Sequence, residues 1–339
     1  MSTLHNVLPW QQTVWDNFSQ QLGRLPHALL LSGPQGIGKF IFAKDIARAL
    51  LCESPASNGW ACGTCGACRW YEEGNHPDFR LITPESEMSP EELIGKKALS
   101  HAIKIEQIRE LGAFVGLSSH RGGLRVIIIH PAEAMNAAAA NALLKSLEEP
   151  PSGVVFILVS GQTKSLLPTI RSRCQIITLN SPSQPQALAW LEAQGVQNCE
   201  VLLAQAGNAP IKALGMYQED YLTARREFLH ELCAPSYLKF LNLAERGAKL
   251  RLLWILYWLQ TWAYDLLSLK SNHGVRYHAD FKEELDIVAN RVDTRKLLHY
   301  QSQLTSAQSL VTHPLNVQLV LEEVLMAYLD VFKKELAYG

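Results

Sequence analysis

The sequence predicts an α/β domain built on a parallel sheet, followed by a region that is helical to the end of the chain. Two apolar runs, Val126-Ile127-Ile128-Ile129 and Val154-Val155-Phe156-Ile157-Leu158-Val159, show no polar alternation, as expected of strands buried on both faces. Between them an alanine-rich stretch sets Met135, Ala139, Leu143 and Leu147 at a spacing of four, one face of a helix, before Pro150-Pro151 stops it. A strand–helix–strand crossover of this length requires parallel strands and a right-handed βαβ unit. Beyond the polar, proline-marked stretch 180–185, apolar residues recur at helical spacing only.

The chain has 339 residues, enough for two or three domains, and at 47% hydrophobic it can bury a large core. Its net charge of −1, from 31 basic and 32 acidic residues, suits strong autonomous nucleic-acid binding poorly, because such binding rests on neutralising phosphates with Lys and Arg. Met1-Ser2-Thr3-Leu4-His5-Asn6 has neither the charged start nor the apolar core of a secretory signal. The most apolar stretch, Leu252–Leu259, is bracketed by Arg251 and Asp265 and is too short to span a bilayer. Seven cysteines, four of them clustered, fit a reducing cytoplasm better than a disulfide framework.

In chain order, a helix is expected over about 11–22, with Val14, Phe18 and Leu22 inward, and a first buried strand over 27–31. That strand runs into Ser32-Gly33-Pro34-Gln35-Gly36-Ile37-Gly38-Lys39-Phe40 and a helix to about Leu51, the strand–loop–helix context of a phosphate-binding loop. Gly33, Gly38 and Lys39 match the Walker A spacing, so backbone N–H groups and an ammonium are available to phosphates. Phe40 stands where a Ser or Thr hydroxyl would hold magnesium, and a phenyl ring offers a cation no lone pair. The end of the 126–129 strand, where Walker B motifs place an Asp and then a Glu, carries His130 and Pro131; Glu133 falls on the segment that follows. The loop therefore reads as one kept mainly for its fold, and autonomous ATP hydrolysis is not expected.

Cys52, Cys62, Cys65 and Cys68 form a C-x₉-C-x₂-C-x₂-C cluster within 52–68, with Gly63 and Gly66 in its turns. Two-residue gaps let thiolates turn back onto one tetrahedral ion, and four sulfur ligands leave no open position, so a structural zinc is expected. His76 is a candidate ligand by type alone and reads as a loop residue. Arg69 is the segment's single basic residue, too few for a zinc module that grips nucleic acid. A strand is expected at 79–82, a polar connection over 83–102, a helix over 104–117 with Ile105, Ile108 and Leu111 inward, and a turn at Arg121-Gly122-Gly123. Gln175–Leu179 closes the sheet. Further on, helices are expected near 187–193, 200–206, 250–269 and 317–336, and Trp254, Trp258 and Trp262 at a spacing of four read as core.

Asn141-Ala142-Leu143-Leu144-Lys145-Ser146-Leu147-Glu148-Glu149-Pro150-Pro151, followed by Ser172-Arg173-Cys174, resembles the clamp-loader group of AAA+ proteins, in detail over about 26–180 and in architecture beyond. The resemblance implies an AAA+ P-loop domain with an inserted zinc module (1–180), a small helical lid (181–217) and a helical collar (218–339) through which subunits assemble into a ring. Ser160 or Gly161 then lies at the family's polar sensor and Pro210 where a lid arginine reaches the γ-phosphate, two further departures from a working ATPase. It also implies a role for Arg173: a finger reaching the ATP held by a neighbouring subunit, with Arg171 the rival candidate. The implied partners are motor subunits and a clamp-opening subunit in a hetero-oligomeric ring and, through the complex, a sliding clamp and primed DNA, with no membrane. Two other readings stay open: an autonomous P-loop ATPase, and a zinc-dependent nucleic-acid-binding module.

Overall fold

The computed structural model describes residues 8–87, 100–116, 123–217, 221–248, 250–310 and 316–332. They fall into two compact units, Met1–Gln186 and Ala187–Gly339.

The first unit is built on five parallel strands: β1 (Ala28–Ser32), β2 (Phe79–Ile82), β3 (Arg125–Ile129), β4 (Val154–Ser160) and β5 (Gln175–Thr178), in the order β2-β3-β4-β1-β5. The unbroken apolar runs are the inner strands, and β3 and β4 are buried at every position. The edge strand β5 is open on one side, with Ile176 53% exposed. Its helices are α1 (Gln12–Ser19), α2 (Lys39–Leu51), α3 (Gly66–Glu72), α4 (Ile105–Gly116), α5 (Ala137–Glu148) and α6 (Pro168–Arg171).

Strand alternation distributes the core between two layers. Ala28, Leu30, Ile127, Ile129, Phe156 and Leu158 pack with Ile108 and Leu111 of α4 and Ala139, Leu143 and Leu147 of α5. The alternate set, including Leu29, Leu31, Ile128 and Ile157, is equally buried, and α2 contacts these strands. Asn136 starts α5, its side chain accepting the Ala139 N–H, so Met135 precedes the helix instead of lying on its face. Arg125, 6% exposed, donates through one guanidinium nitrogen to the carbonyls of Phe114 and Val115 at 2.7 Å each, capping the end of α4.

Three expectations need correcting. Helix α1 ends at Ser19, and Trp15 and Phe18, three apart, are its buried residues; Val14 and Leu22 are only half-buried. Ile105 is likewise half-buried. The last expected helix stops at Leu329, and Phe332 makes an antiparallel bridge to Val292. Residues 88–99 of the polar connection, the Arg121-Gly122 turn and the end of the 317–336 range lie outside the described residues.

The second unit is all-helical: α7 (Gln184–Ala193), α8 (Cys199–Gln205), α9 (Pro210–Met216), α10 (Tyr221–Cys233), α11 (Tyr237–Gly247), α12 (Leu252–Lys270), α13 (Lys282–Arg291), α14 (Thr294–Leu310) and α15 (Val317–Leu329). Helix α12 forms its core: Trp258 and Trp262 are fully buried and donate their indole N–H groups to Tyr221 and Tyr328 hydroxyls at 2.9 Å, while Trp254 is half-buried. Beside it runs a buried polar chain. Arg225, 1% exposed, grips Asp280 with both guanidinium nitrogens at 2.7 and 2.8 Å and donates to His278 Nδ1 at 2.9 Å. Burial first, and the Arg225 cation second, keep the His278 imidazole neutral. Its Nε2 therefore carries the proton given to Thr261 Oγ1, 3.0 Å away. Removing one partner of a buried pair strands the other charge. Asp280→Ala leaves the buried Arg225 without its carboxylate and should lower unfolding free energy by about 1–3 kcal/mol in urea denaturation followed by circular dichroism, more than an Asp→Ala change at a carboxylate with no buried partner.

Candidate functional site

The loop between β1 and α2 has the backbone of a phosphate site. Gly33 (φ 152°) and Gly38 (φ 90°) adopt conformations that favour glycine, and a Cβ on Gly33 would lie 2.2 Å from the Leu179 carbonyl oxygen. The side chains around it do other work. Phe40 stacks on His130, ring centroids 4.3 Å apart and planes within 11° of parallel, and Lys44 Nζ lies 4.5 Å from the Phe40 centroid. Thus the two positions that carry magnesium ligands in a working P-loop site hold one ring pair. Lys39 is 6% exposed and donates to the Pro34 carbonyl oxygen of its own loop at 2.5 Å. Burial lowers its pKa to about 8, against the pull of the Glu133 carboxylate. Glu133 accepts the Gly161 N–H at 2.9 Å, bracing the end of β4. Burial also holds His130 below its ordinary pKa.

The loop is covered from the N-terminal side, which the sequence reading missed. Trp10 Nε1 and Gln11 Nε2 both donate to the Ile37 carbonyl oxygen, at 2.9 and 3.0 Å. Leu8 lies so close to Gly38 that a Cβ there would meet Leu8 Cδ1 at 2.1 Å. These contacts span 26 to 30 residues, and no periodic pattern announces them.

The four cysteines converge. Cys52, Cys62, Cys65 and Cys68 present sulfurs that all lie within 4.8 Å of one another, with Cys52 and Cys65 at 3.9 Å. A tetrahedron with metal–sulfur bonds of about 2.3 Å has edges of about 3.8 Å, so the group fits one metal ion. Backbone N–H groups support it: Cys62 N to Cys52 Sγ (3.2 Å), Cys65 N to Cys62 Sγ (3.3 Å) and Cys68 N to Cys65 Sγ (3.4 Å). The Thr64 and Cys65 amides lower the Cys62 pKa to about 6, while burial raises those of Cys52 and Cys68, whose thiolates would need the charge of a metal ion to form. His76 is turned to another task, its Nδ1 accepting the Asp78 N–H at 3.1 Å. The module is tied to its surroundings by Trp60, stacked on Trp15 of α1 at 3.6 Å, and by an Arg48–Glu72 ion pair of 2.7 Å between α2 and α3.

Ser172-Arg173-Cys174 forms the turn between α6 and β5, and each residue does something different. Ser172 Oγ donates to the Thr169 carbonyl oxygen at 3.1 Å and fixes the turn. Cys174 packs against the core, where burial raises its thiol pKa to about 11. Arg173 remains partly open, its side chain 34% exposed: one terminal nitrogen donates to Thr169 O at 3.0 Å and the other pairs with Glu148 Oε1 at 2.7 Å. The rival Arg171 has its Nε buried with no hydrogen bond among the described residues. In the other unit, Pro210 opens α9 at its first turn.

A family model described as DNA polymerase III, delta subunit, matches residues 10–183, and one for the C-terminal region of the delta subunit matches 219–329. DNA polymerase III subunit delta′ of Pseudomonas aeruginosa is 34% identical over 332 residues, covering 93% of this chain and 94% of that one. The chain belongs to the DNA polymerase III delta′ family. The delta′ subunit of Escherichia coli is 32% identical over 278 residues, 78% of this chain and 77% of that one. A gamma subunit-related protein from Thermotoga maritima superposes with a TM-score of 0.46 at 18% identity, over 94% of this chain and 99% of that one.

Metal content checks the cysteine cluster directly. Native mass spectrometry of the intact chain should record one bound metal ion, and Cys65→Ser should remove it; a metal-free wild-type chain purified without chelator would contradict the assignment.

Proposed function

We propose that this chain is a non-hydrolysing subunit of a bacterial clamp loader in the DNA polymerase III holoenzyme. In that role it supports ATP-driven loading of a sliding clamp onto primed DNA while another subunit splits the nucleotide. The observation that carries the proposal is the Phe40–His130 stack, which replaces the hydroxyl and the carboxylate that would hold magnesium, in a chain that keeps Arg173 at an accessible turn. Hydrolysis needs a metal to neutralise charge on the phosphates; a phenyl ring offers magnesium no lone pair, and an imidazole is a poor substitute for the oxygen ligands that ion requires. Gly33, Gly38 and Lys39 then maintain the shape of the loop, with Lys39 satisfied by Pro34.

Arg173 is the group offered outward. A guanidinium stays charged at every physiological pH, and its planar fork matches phosphate oxygens, so it stabilises charge developing on the γ-phosphate of a neighbouring subunit's ATP. Zinc is the metal proposed for the four cysteines. An all-sulfur, closed tetrahedral shell suits it and leaves no position for a reactive water, so the ion is structural. It holds the 52–68 module against α1 and α2. The proposed division of the chain is an AAA+ domain over 1–180, a lid over 181–217 and a collar over 218–339 through which the ring assembles. The partners are motor subunits, a clamp-opening subunit and, through them, the clamp and primed DNA. Among the described residues no helix is long and apolar enough to cross a membrane, in keeping with a cytoplasmic replication protein.

An arginine supplied across an interface contributes about 10³–10⁵ in rate at the site it serves. Arg173→Ala should therefore leave ring assembly intact, by size-exclusion chromatography, and slow steady-state ATP turnover of the complex reconstituted with its motor subunits. Turnover at the wild-type rate would remove the trans-acting arginine from the account.

A further inference from the structure

Glu148 stands where helix electrostatics disfavours it. It is the last residue of α5, at the end where unpaired carbonyls concentrate negative charge, and a carboxylate there is ordinarily destabilising. What offsets it is Arg173, 25 positions further on in the sequence and 2.7 Å away in the fold. The pairing is one-edged. One terminal nitrogen meets Glu148 Oε1 and the other meets Thr169 O, so three of the five guanidinium N–H groups have no protein acceptor among the described residues. The contact differs from the two parallel N–H bonds that Asp280 takes from Arg225, and it leaves more of the guanidinium available to a second anion.

We infer that Glu148 is a positioning residue for Arg173: with the Thr169 carbonyl it holds the guanidinium in one place, leaves its other N–H groups unclaimed, and surrenders it when a phosphate arrives. This rests on the reading of Arg173 as a group that serves a neighbouring ATP. The side chains are 34% and 49% exposed, and an ion pair so open to water is weak enough for a more highly charged anion to displace. The carboxylate thus occupies the phosphate's place. It keeps a long, mobile side chain in one geometry before the subunit interface closes, and it competes with nucleotide for the same cation.

That competition is measurable. In the complex reconstituted with its motor subunits, Glu148→Gln keeps the shape of the side chain and removes its charge. The ATP concentration giving half-maximal turnover should fall by roughly two- to five-fold, the range of an exposed ion pair. In an Arg173→Ala background the same substitution should shift nothing, because there is no guanidinium left to compete for. Three results would overturn the inference: an unchanged half-saturation, a lowered maximal rate alone, or an equal shift with and without Arg173. If Arg173→Ala by itself leaves turnover untouched, the arginine reading fails first and the Glu148 role falls with it. That outcome is distinct from one in which Arg173 matters and Glu148 does not.

Discussion

A phenyl ring laid against an imidazole is the contact on which the proposed role of this chain depends. Phe40 and His130 stack at 4.3 Å at the junction of the phosphate loop and the end of β3, where a metal-dependent ATPase brings a hydroxyl and a carboxylate together. The rest of the neighbourhood is consistent with that choice. Lys39 turns onto Pro34, Glu133 braces Gly161, and Leu8, Trp10 and Gln11 pack over the loop. The side chains of this loop are engaged by their own chain while the strand–loop–helix geometry is kept.

With that site closed, the functional emphasis passes to the far side of β1. The turn before β5 carries an arginine that is anchored but accessible, at the open edge of the sheet. The same logic of rigid support appears twice more. A cysteine module is tied to α1 and α2 by an aromatic stack and an ion pair among other contacts, and in the helical unit the buried Arg225 and His278 with Asp280 join α10 to the segment before α13. A subunit that contributes by standing in the right place needs such rigidity more than it needs a pocket. Where the chain breaks a local rule, as with an acid at the end of α5, the exception sits beside the arginine on which the proposed activity depends.

Much of this was legible in the sequence because its signals are local. The 126–129 and 154–159 runs announce buried parallel strands, the cysteine spacing announces its own convergence, and Phe40, His130 and Pro131 can be read against a motif one position at a time. What the sequence concealed is contact without periodicity. Trp15 was missed because the pattern there was read at a spacing of four, when the helix is short and turns its buried residues inward three apart. The Trp15–Trp60 stack, the Gln11–Ile37 bond and the Glu148–Arg173 pair join residues far apart in the chain through chemistry that composition does not reveal. The Arg225 chain was invisible for the same reason, since a charged residue on a helix ordinarily reads as solvated.

The central claim is that this phosphate loop has lost its nucleotide and that the chain acts on another subunit's. Equilibrium titration of Mg-ATP into the purified wild-type chain, followed calorimetrically, tests it without any partner present. The account predicts no saturable binding. Binding in the micromolar range, abolished by Lys39→Ala, would contradict it.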